Sequence, residues 1–261
     1  MKRQTPDYYI QDRQTRAAAG FTLIETIVTI FIIAALLSLV ITAAGHARRA
    51  TEDAVVLSNL KTHASTFHLY TADYNDTWPL LAPIPEDKAS GRALSEFMGN
   101  ATFWQRHLYK DYYGGDRGHD SFILPGMVEW YGRDLDPALS IAYGYSGAFV
   151  MRPEFWNLRT RDPTALQYGA TKVHEVAFPS HKILHSAWVP QGVLYGKIPD
   201  NRPGFYSLAD GSAGSAIAGD IRRGVPSEVI FPNMTAGGYS LFFPGQTTEN
   251  GVRGRDFGGG N

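Results

Sequence analysis

Cysteine is absent from all 261 residues of the chain. A disulfide framework is therefore excluded, and so are a cysteine nucleophile and a zinc site that relies on thiolate ligands. A domain exported without disulfides must depend on its apolar core. The roughly 200 residues that follow the first apolar segment are enough to build such a core.

An excess of either charge is also absent. The formal net charge is −1, and no long basic or acidic block interrupts the sequence. Nucleic acid is therefore not indicated as a partner. The 44% content of hydrophobic residues suits one membrane helix followed by one globular domain.

Motifs for catalysis or metal binding are missing as well. The sequence has no Gly-x-Ser-x-Gly elbow and singles out no carboxylate pair, so we expect no enzyme and no catalytic residues. His63 and His68 are five residues apart in a predicted helix, and His181 and His185 are four apart in a predicted strand. Neither pair has good metal-ligand spacing, and we expect the histidines to be surface or half-buried residues.

Calcium is the one cofactor that the sequence leaves open, without an assigned ligand. Oxygen-bearing side chains suit this ion, and they cluster at Asp73, Asn75 and Asp76. Asp116, His119 and Asp120 in a glycine-rich loop, or Asp210 together with Asp73, are the other candidates. The first cluster is better explained as a turn that ends a helix, because Asn and Asp tolerate left-handed backbone conformations. A melting midpoint that a chelator leaves unchanged would exclude calcium.

A single long apolar segment dominates the sequence. Residues 21–44 number 24, of which fourteen are Leu, Ile, Val or Phe and only Glu25 is charged. A helix of this length spans about 36 Å, enough to cross a hydrocarbon layer of about 30 Å. An ordinary secretory signal has a shorter apolar region, of about 7–15 residues. The segment is therefore predicted to be a transmembrane helix.

Glu25 lies one turn inside the start of this helix. A carboxylate in a membrane segment is costly and indicates a function, so a partner of opposite charge is expected. If the chain were cut after Gly20, the new amine of Phe21 would lie about one turn from Glu25. That amine, or the amine of a neighbouring copy, would supply the charge. The alternative is a Glu near the lipid headgroups without a partner.

Residues 19–25 read Ala-Gly-Phe-Thr-Leu-Ile-Glu and lead into the apolar helix. This pattern resembles the class III signal of type IV pilins and type II secretion pseudopilins. The resemblance implies that a prepilin peptidase cuts between Gly20 and Phe21 and N-methylates Phe21, and that Glu25 aids assembly. It also implies as partners other copies of the chain, other pilin-like subunits and an inner-membrane assembly platform, besides membrane lipid.

The charges that flank the apolar segment predict its orientation. The leader, residues 1–20, carries four basic and two acidic residues. By the positive-inside rule this end stays in the cytoplasm, although Arg48 and Arg49 oppose the assignment weakly. We expect a single-pass protein of the bacterial inner membrane with an extracytoplasmic, periplasmic C-terminal domain.

The helix is predicted to continue beyond the membrane as an amphipathic segment over residues 45–78. Apolar residues recur at steps of three and four, and no proline occurs before Pro79. The predicted helix runs from Phe21 to about Ala72, and Gly45 is the point at which it would bend. The apolar stripe consists of Val56, Leu60, Ala64, Phe67, Tyr70 and Tyr74.

The globular domain is predicted over residues 79–250, with a loop at 82–89 and a flexible, glycine-rich tail at 251–261. A second helix is predicted from the spacing of Leu94, Phe97, Met98, Ala101, Trp104, Leu108 and Tyr112. Short strands between Gly and Pro residues then predict an antiparallel meander. These strands are 122–124, 141–151, 172–178, 182–189, 204–208, 212–218 and 239–243. The predicted fold class is thus α+β and pilin-like, with a long N-terminal helix packed on an antiparallel sheet.

Several local patterns resemble a subset of large pseudopilin-like proteins. They are an Asn-Leu pair at 59–60, an aromatic turn ending in Pro at 70–79, a Tyr-Gly strand at 141–145, a Pro-Ser turn at 178–184 and an Ala-Asp-Gly hairpin at 204–212. The last has a local physical basis, because Asp-Gly permits the positive φ of a tight turn between two strands.

Two functions follow from these observations. The first is a structural subunit of a type II secretion pseudopilus or a type IV pilus-like filament. The second is a membrane-anchored extracytoplasmic module that binds a glycan or another polymer, which a 13% content of aromatic residues permits. Phe103, Trp104, Tyr112 and Tyr113 could form such a binding patch, but their spacing favours packing inside the domain.

Overall fold

The computed structural model describes residues 22–80, 100–101, 103–125, 142–161, 167, 169–187, 203–222, 224–225 and 247–258. The chain divides into two compact units, Met1–Ala50 and Thr51–Asn261. The predictions for the leader, for the loop at 82–89 and for a strand at 239–243 fall outside the described residues.

The predicted long helix is confirmed as α1, which spans Leu23–Asp73 without interruption at Gly45. The absence of proline allows this length, and the helix ends where Asn75 and Asp76 adopt positive φ angles of 53° and 54°. These residues form the helix-terminating turn that the sequence favours, because Asn and Asp tolerate this conformation better than most side chains.

The sheet is the antiparallel meander that the sequence predicts, with strand order β1-β2-β3-β4. Its strands are β1 (Tyr143–Tyr145), β2 (Ile183–Ala187), β3 (Pro203–Leu208) and β4 (Ala213–Ile217). Gly144 pairs with Ser186 across β1 and β2, and Tyr206 pairs with Gly214 across β3 and β4. The β3–β4 hairpin turns at Asp210-Gly211, where Gly211 has a φ of 86°.

The core of the second unit lies between the amphipathic part of α1 and the sheet. Val56, Leu60, Ala64 and Phe67 of the predicted stripe are buried, whereas Tyr70 is partly buried and Tyr74 is exposed. The second helix predicted between Leu94 and Tyr112 is confirmed at its C-terminal end, as α2 (Gln105–Tyr112), and Leu108 faces the same core. Residues 103–104 are not helical, and residues 94–99 lie outside the described part of the chain. The structure therefore has the α+β arrangement predicted from the sequence.

Three predicted strands are wrong in whole or in part. Residues 120–122 form a 3₁₀ turn in place of a strand at 122–124, and residues 173–175 form another in place of the strand at 172–178. The strand predicted at 141–151 is limited to β1, after which residues 147–149 turn. The residues at 121–122 and 142–151 are buried, and burial alone does not distinguish a strand from a turn, whereas no residue of the turn at 173–175 is buried.

The C-terminal segment differs from the flexible tail predicted at 251–261. Residues 251–253 form a 3₁₀ turn, and Val252 and Asp256 are fully buried. The backbone N–H of Asp256 donates a hydrogen bond to the carbonyl oxygen of His181 (2.8 Å), and the phenyl ring of Phe257 packs against Tyr206. These contacts order the segment despite its glycine content.

Candidate functional site

The first turn of α1 contains Glu25, the acid to which the sequence assigns a role in assembly. Thr22 donates two hydrogen bonds to Glu25 Oε2, one from its backbone N–H and one from its hydroxyl, both of 2.8 Å. In return, the backbone N–H of Glu25 donates to Thr22 Oγ1 (3.3 Å). This reciprocal arrangement is a capping box, which satisfies N–H groups that the helix cannot pair internally.

The sequence itself contains a signal for this arrangement. Thr-x-x-Glu before an apolar run is the usual signature of a capping box, and residues 22–25 match it. The acid also lies at the positive end of the helix dipole. Glu25 therefore has a local partner in Thr22, in addition to any amine that cleavage would provide. Gly20 and Phe21 lie outside the described residues.

The two oxygens of the Glu25 carboxylate differ in their contacts. Both hydrogen bonds from Thr22 end on Oε2. Within the described part of the chain, no donor contacts Oε1. A carboxylate oxygen has two acceptor positions, so Glu25 can keep its capping box and still accept a further hydrogen bond from a cation.

The surface of α1 downstream of Glu25 is apolar and exposed. Phe31 is 74% exposed and Ile41 is 70% exposed, and most of the side chains between them are apolar. Within the described residues, α1 is the one helix whose length and composition suit a membrane span. Its few hydroxyl groups donate to carbonyl oxygens of the same helix, for example Thr29 to Glu25 (2.6 Å) and Thr42 to Ser38 (2.9 Å). No water is needed to satisfy them, as a hydrocarbon environment requires.

Two histidines lie fully buried in the second unit, contrary to the surface or half-buried positions expected from the sequence. His63 Nε2 is 2.9 Å from the carbonyl oxygen of Ser121, and its Nδ1 is 2.8 Å from the hydroxyl of Tyr113. Because a carbonyl only accepts, Nε2 carries the proton and Nδ1 accepts from Tyr113. Burial lowers the pKa of His63 to about 3, so this imidazole is neutral.

The second buried histidine, His185, lies in β2 close to His63. Its Nδ1 is 3.0 Å from the hydroxyl oxygen of Ser207, and its ring meets the ring of Phe67 edge to face at 4.3 Å. Burial lowers the pKa of His185 well below its usual value. Across the described residues, no three His, Cys, Asp or Glu side chains come close enough together to hold a metal ion.

The aromatic residues considered as a binding patch separate into two groups. Trp104 and Tyr113 are buried, and Trp104 Nε1 donates to the carbonyl oxygen of Tyr143 (2.8 Å). These two residues therefore pack inside the domain and do not form part of an exposed binding patch. Tyr112 is partly buried at the edge of the core; its hydroxyl donates to Asp73 Oδ2 (2.8 Å), and its ring lies 5.9 Å from that of Tyr70.

Two of the sequence patterns meet in the structure. The side chain of Asn59 donates from Nδ2 to the hydroxyl oxygen of Tyr143 (3.0 Å), and the adjacent Leu60 is buried in the core. The Asn-Leu pair of α1 and the Tyr-Gly strand β1 are therefore in direct contact. The Pro-Ser turn is also present, as the 3₁₀ turn at residues 179–181 that leads into β2.

Comparison with known proteins identifies the N-terminal segment. Residues 15–41 match the family described as "Prokaryotic N-terminal methylation motif". The matched range includes the predicted cleavage position, the capping box and most of the apolar helix. The prediction of a prepilin-type signal is thus confirmed, and such a signal implies processing by a prepilin peptidase and assembly with pilin-like subunits. No curated protein and no solved structure matches the chain.

Proposed function

We propose that this chain is a structural subunit of a type II secretion pseudopilus or a type IV pilus-like filament. In this proposal a prepilin peptidase cuts after Gly20 and methylates Phe21, and subunits then assemble through the apolar part of α1. The observation that carries the proposal is the capping box at Thr22 and Glu25, which lies inside the matched methylation motif.

The proposed mechanism assigns different tasks to the two oxygens of Glu25. Oε2 accepts from Thr22 of the same subunit, which fixes the carboxylate before assembly. Oε1 then accepts from the amine of Phe21, in the same subunit or a neighbouring one. Because the side chain is already held, less conformational entropy is lost when the second contact forms. Each charge then neutralises the other within the apolar surroundings, where the attraction between opposite charges is strong.

The exposed side chains of α1 supply the rest of the proposed assembly interface. In the membrane they contact lipid, and in the filament they contact the helices of other subunits. Lipid tails are as apolar as these side chains, so burial alone favours neither state. The charge pair at Glu25 and close packing between helices therefore decide whether a subunit leaves the membrane for the filament.

The proposal places the second unit outside the inner membrane and assigns it no enzymatic activity. The basic residues of the leader support a cytoplasmic N-terminus. Protease added to intact spheroplasts should digest the second unit and leave a membrane-protected fragment. Protection of the whole chain would overturn the orientation.

The experiment that tests the mechanism compares Glu25→Gln with Glu25→Ala. Both variants should insert in the membrane, because each loses a charge. Glutamine still fits a capping box, whereas alanine does not. We expect both variants to lose filament assembly, measured by pelleting of sheared filaments or by crosslinking of subunits in the membrane.

Each outcome of this comparison has a separate meaning. Normal polymerisation of Glu25→Gln would show that the negative charge is not needed and would contradict the charge pairing. Loss of assembly in Glu25→Ala alone would assign the whole effect to the capping box. A wild-type chain that stays monomeric in the membrane would instead favour the membrane-anchored binding module.

A further inference from the structure

A buried pair of opposite charges joins the C-terminal segment to the sheet. Lys182 immediately precedes β2, and Asp256 lies in the segment after the 3₁₀ turn at residues 251–253. Both side chains are fully buried. Such a pair is costly unless its hydrogen bonds are short and complete, so its geometry is informative.

The contacts of Lys182 are longer than those of a well-formed ion pair. Its Nζ lies 3.3 Å from each oxygen of Asp256, whereas charge-assisted N–H···O bonds are usually about 2.7–2.9 Å. In the described part of the chain, Nζ has no other acceptor. An ammonium group in this fully buried position would keep hydrogen-bond donors unsatisfied.

Other donors already occupy the two oxygens of Asp256. The backbone N–H of Ile183 donates to Oδ2 (2.7 Å), and the hydroxyl of Thr248 donates to Oδ1. Burial lowers the pKa of Lys182 to about 8 and raises the pKa of Asp256. Both shifts weaken the preference for the charged forms, so the neutral amine and the protonated carboxyl become accessible beside each other.

We propose that Lys182 and Asp256 condense into an amide and so form an intramolecular isopeptide crosslink. The neutral amine of Lys182 attacks Cγ of the protonated carboxyl, and a bond forms between Nζ and Cγ. The bond from Cγ to Oδ1 then breaks. One proton passes from Nζ to the departing hydroxyl, and one molecule of water leaves. No oxidant, metal or other reactant is needed.

The surroundings of the pair promote each part of this reaction. The fold holds the amine against the carboxyl. Well-oriented groups held in this way react as if one were present at an effective concentration of up to about 10⁵–10⁸ M. The N–H of Ile183 stabilises the negative charge that develops on Oδ2 in the tetrahedral intermediate. The hydroxyl of Thr248 contacts the leaving oxygen and can relay the proton. Full burial of both side chains opposes hydrolysis of the product.

The crosslink would have a clear structural purpose. It would tie residues that are 74 positions apart in sequence, and so reduce the freedom of the unfolded chain as a disulfide does. The chain has no cysteine with which to make a disulfide. An amide would hold the C-terminal segment on β2 irrespective of the redox conditions outside the cell.

The test is a tryptic digest of the full chain, extracted from membranes in detergent and denatured. Trypsin does not cleave after an acylated lysine, so the peptide 173–182 should be missing. A branched peptide should appear instead, with residues 173–197 joined to the peptide that begins at Asp256. Its mass should be lower than the sum of the two by one water. Recovery of peptide 173–182 with a free lysine, and no branched peptide, would overturn the proposal.

Two variants control the assignment while keeping the tryptic sites. Lys182→Arg carries no amine nucleophile and should abolish the branched peptide. Lys172→Arg should retain it, because the Nζ of Lys172 contacts the carbonyl oxygen of Asn75 and the hydroxyl of Thr77 and no carboxylate. A branched peptide that persists in Lys182→Arg would place the crosslink elsewhere and refute the assignment. The wild-type digest decides the question even if Lys182→Arg folds poorly.

Discussion

At the scale of single residues, Glu25 combines a local structural task with a proposed task in assembly. Its hydrogen bonds with Thr22 stabilise the start of α1. The position of the acid was evident from the sequence, because one charge in an apolar run is conspicuous. Its capping partner, Thr22, is only three residues away, so this contact can also be predicted from the sequence.

Removing the hydroxyl of Thr22 should weaken the first turn of α1 without removing the charge of Glu25. Thr22→Val deletes both side-chain hydrogen bonds of the cap and should cost about 1 kcal/mol locally. Thr26→Val is the matched control, since among the described residues that hydroxyl donates to the carbonyl oxygen of Thr22 and not to Glu25. Amide exchange in detergent micelles should accelerate at residues 22–25 in the first variant alone. Equal exchange in both variants would contradict the role of the cap.

The buried histidines show what a sequence hides at this scale. The partners of His63 are Tyr113 and Ser121, which are 50 and 58 residues away. Lys182 depends in the same way on Asp256. A polar residue is usually exposed, and only a distant partner makes its burial tolerable. Spacing within the helix could not reveal those partners.

Burial of His63 predicts a stability that depends on pH. The folded pKa is about 3, and that of an unfolded chain is about 6.5. The unfolded state therefore binds the proton first as the pH falls. The contribution of His63 to the free energy of unfolding is therefore complete above about pH 6.5. It is lost progressively as the pH falls toward about pH 3, at up to about 1.4 kcal/mol per pH unit.

Chemical unfolding of the full chain in detergent, followed between about pH 7 and about pH 4, measures this dependence. His63→Gln should have a smaller slope than the wild type. His46→Gln, which removes an exposed histidine, is the control and should keep the wild-type slope. An unaltered slope in His63→Gln would show that this imidazole is not the group that titrates.

At the scale of elements, the helix and the β3–β4 hairpin were predictable because each is determined locally. An apolar period of three to four residues without proline specifies α1, and Asp-Gly specifies the turn between the two strands. The 3₁₀ turns at residues 120–122 and 173–175 were not predictable in this way. In the first turn Phe122 is buried like an apolar residue of a strand and packs against Tyr113. No residue of the second turn is buried.

The hairpin offers a test at this scale. Gly211→Ala places a side chain at a φ of 86°, which should cost about 1–2 kcal/mol of unfolding free energy. The added methyl group meets only ordinary contacts, of 3.7 Å from the ring of His68. Gly219→Ala lies just beyond β4, where nothing is within 4 Å, and should be nearly neutral. Thermal unfolding of both variants makes the comparison, and equal midpoints would contradict a conformational cost at Gly211.

At the scale of the whole molecule, the α+β class followed from the order of one long helix and later short strands. The role of the C-terminal segment did not. Its glycines suggested a tail, whereas Val252 and Asp256 are buried against residues far away in the sequence. The amino-acid composition describes the segment as a whole, so it does not reveal that two of its side chains, Val252 and Asp256, anchor it to the core. The proposed isopeptide crosslink would make this segment a permanent part of the fold.

The proposed function of the whole molecule depends on a new amine at Phe21. Residues 15–41 match the methylation motif, and the capping box leaves one oxygen of Glu25 available for that amine. Without cleavage, the cationic partner would not exist and the acid would be no more than a helix cap.

Mass spectrometry of the mature N-terminus tests this claim most directly. The protein should be isolated from membranes of cells with an active prepilin peptidase, and from cells without that peptidase as the control. We predict that the first sample begins at N-methylated Phe21 and that the second retains residues 1–20. A mature chain that keeps Gly20, or one that begins near Gly45, would contradict the account.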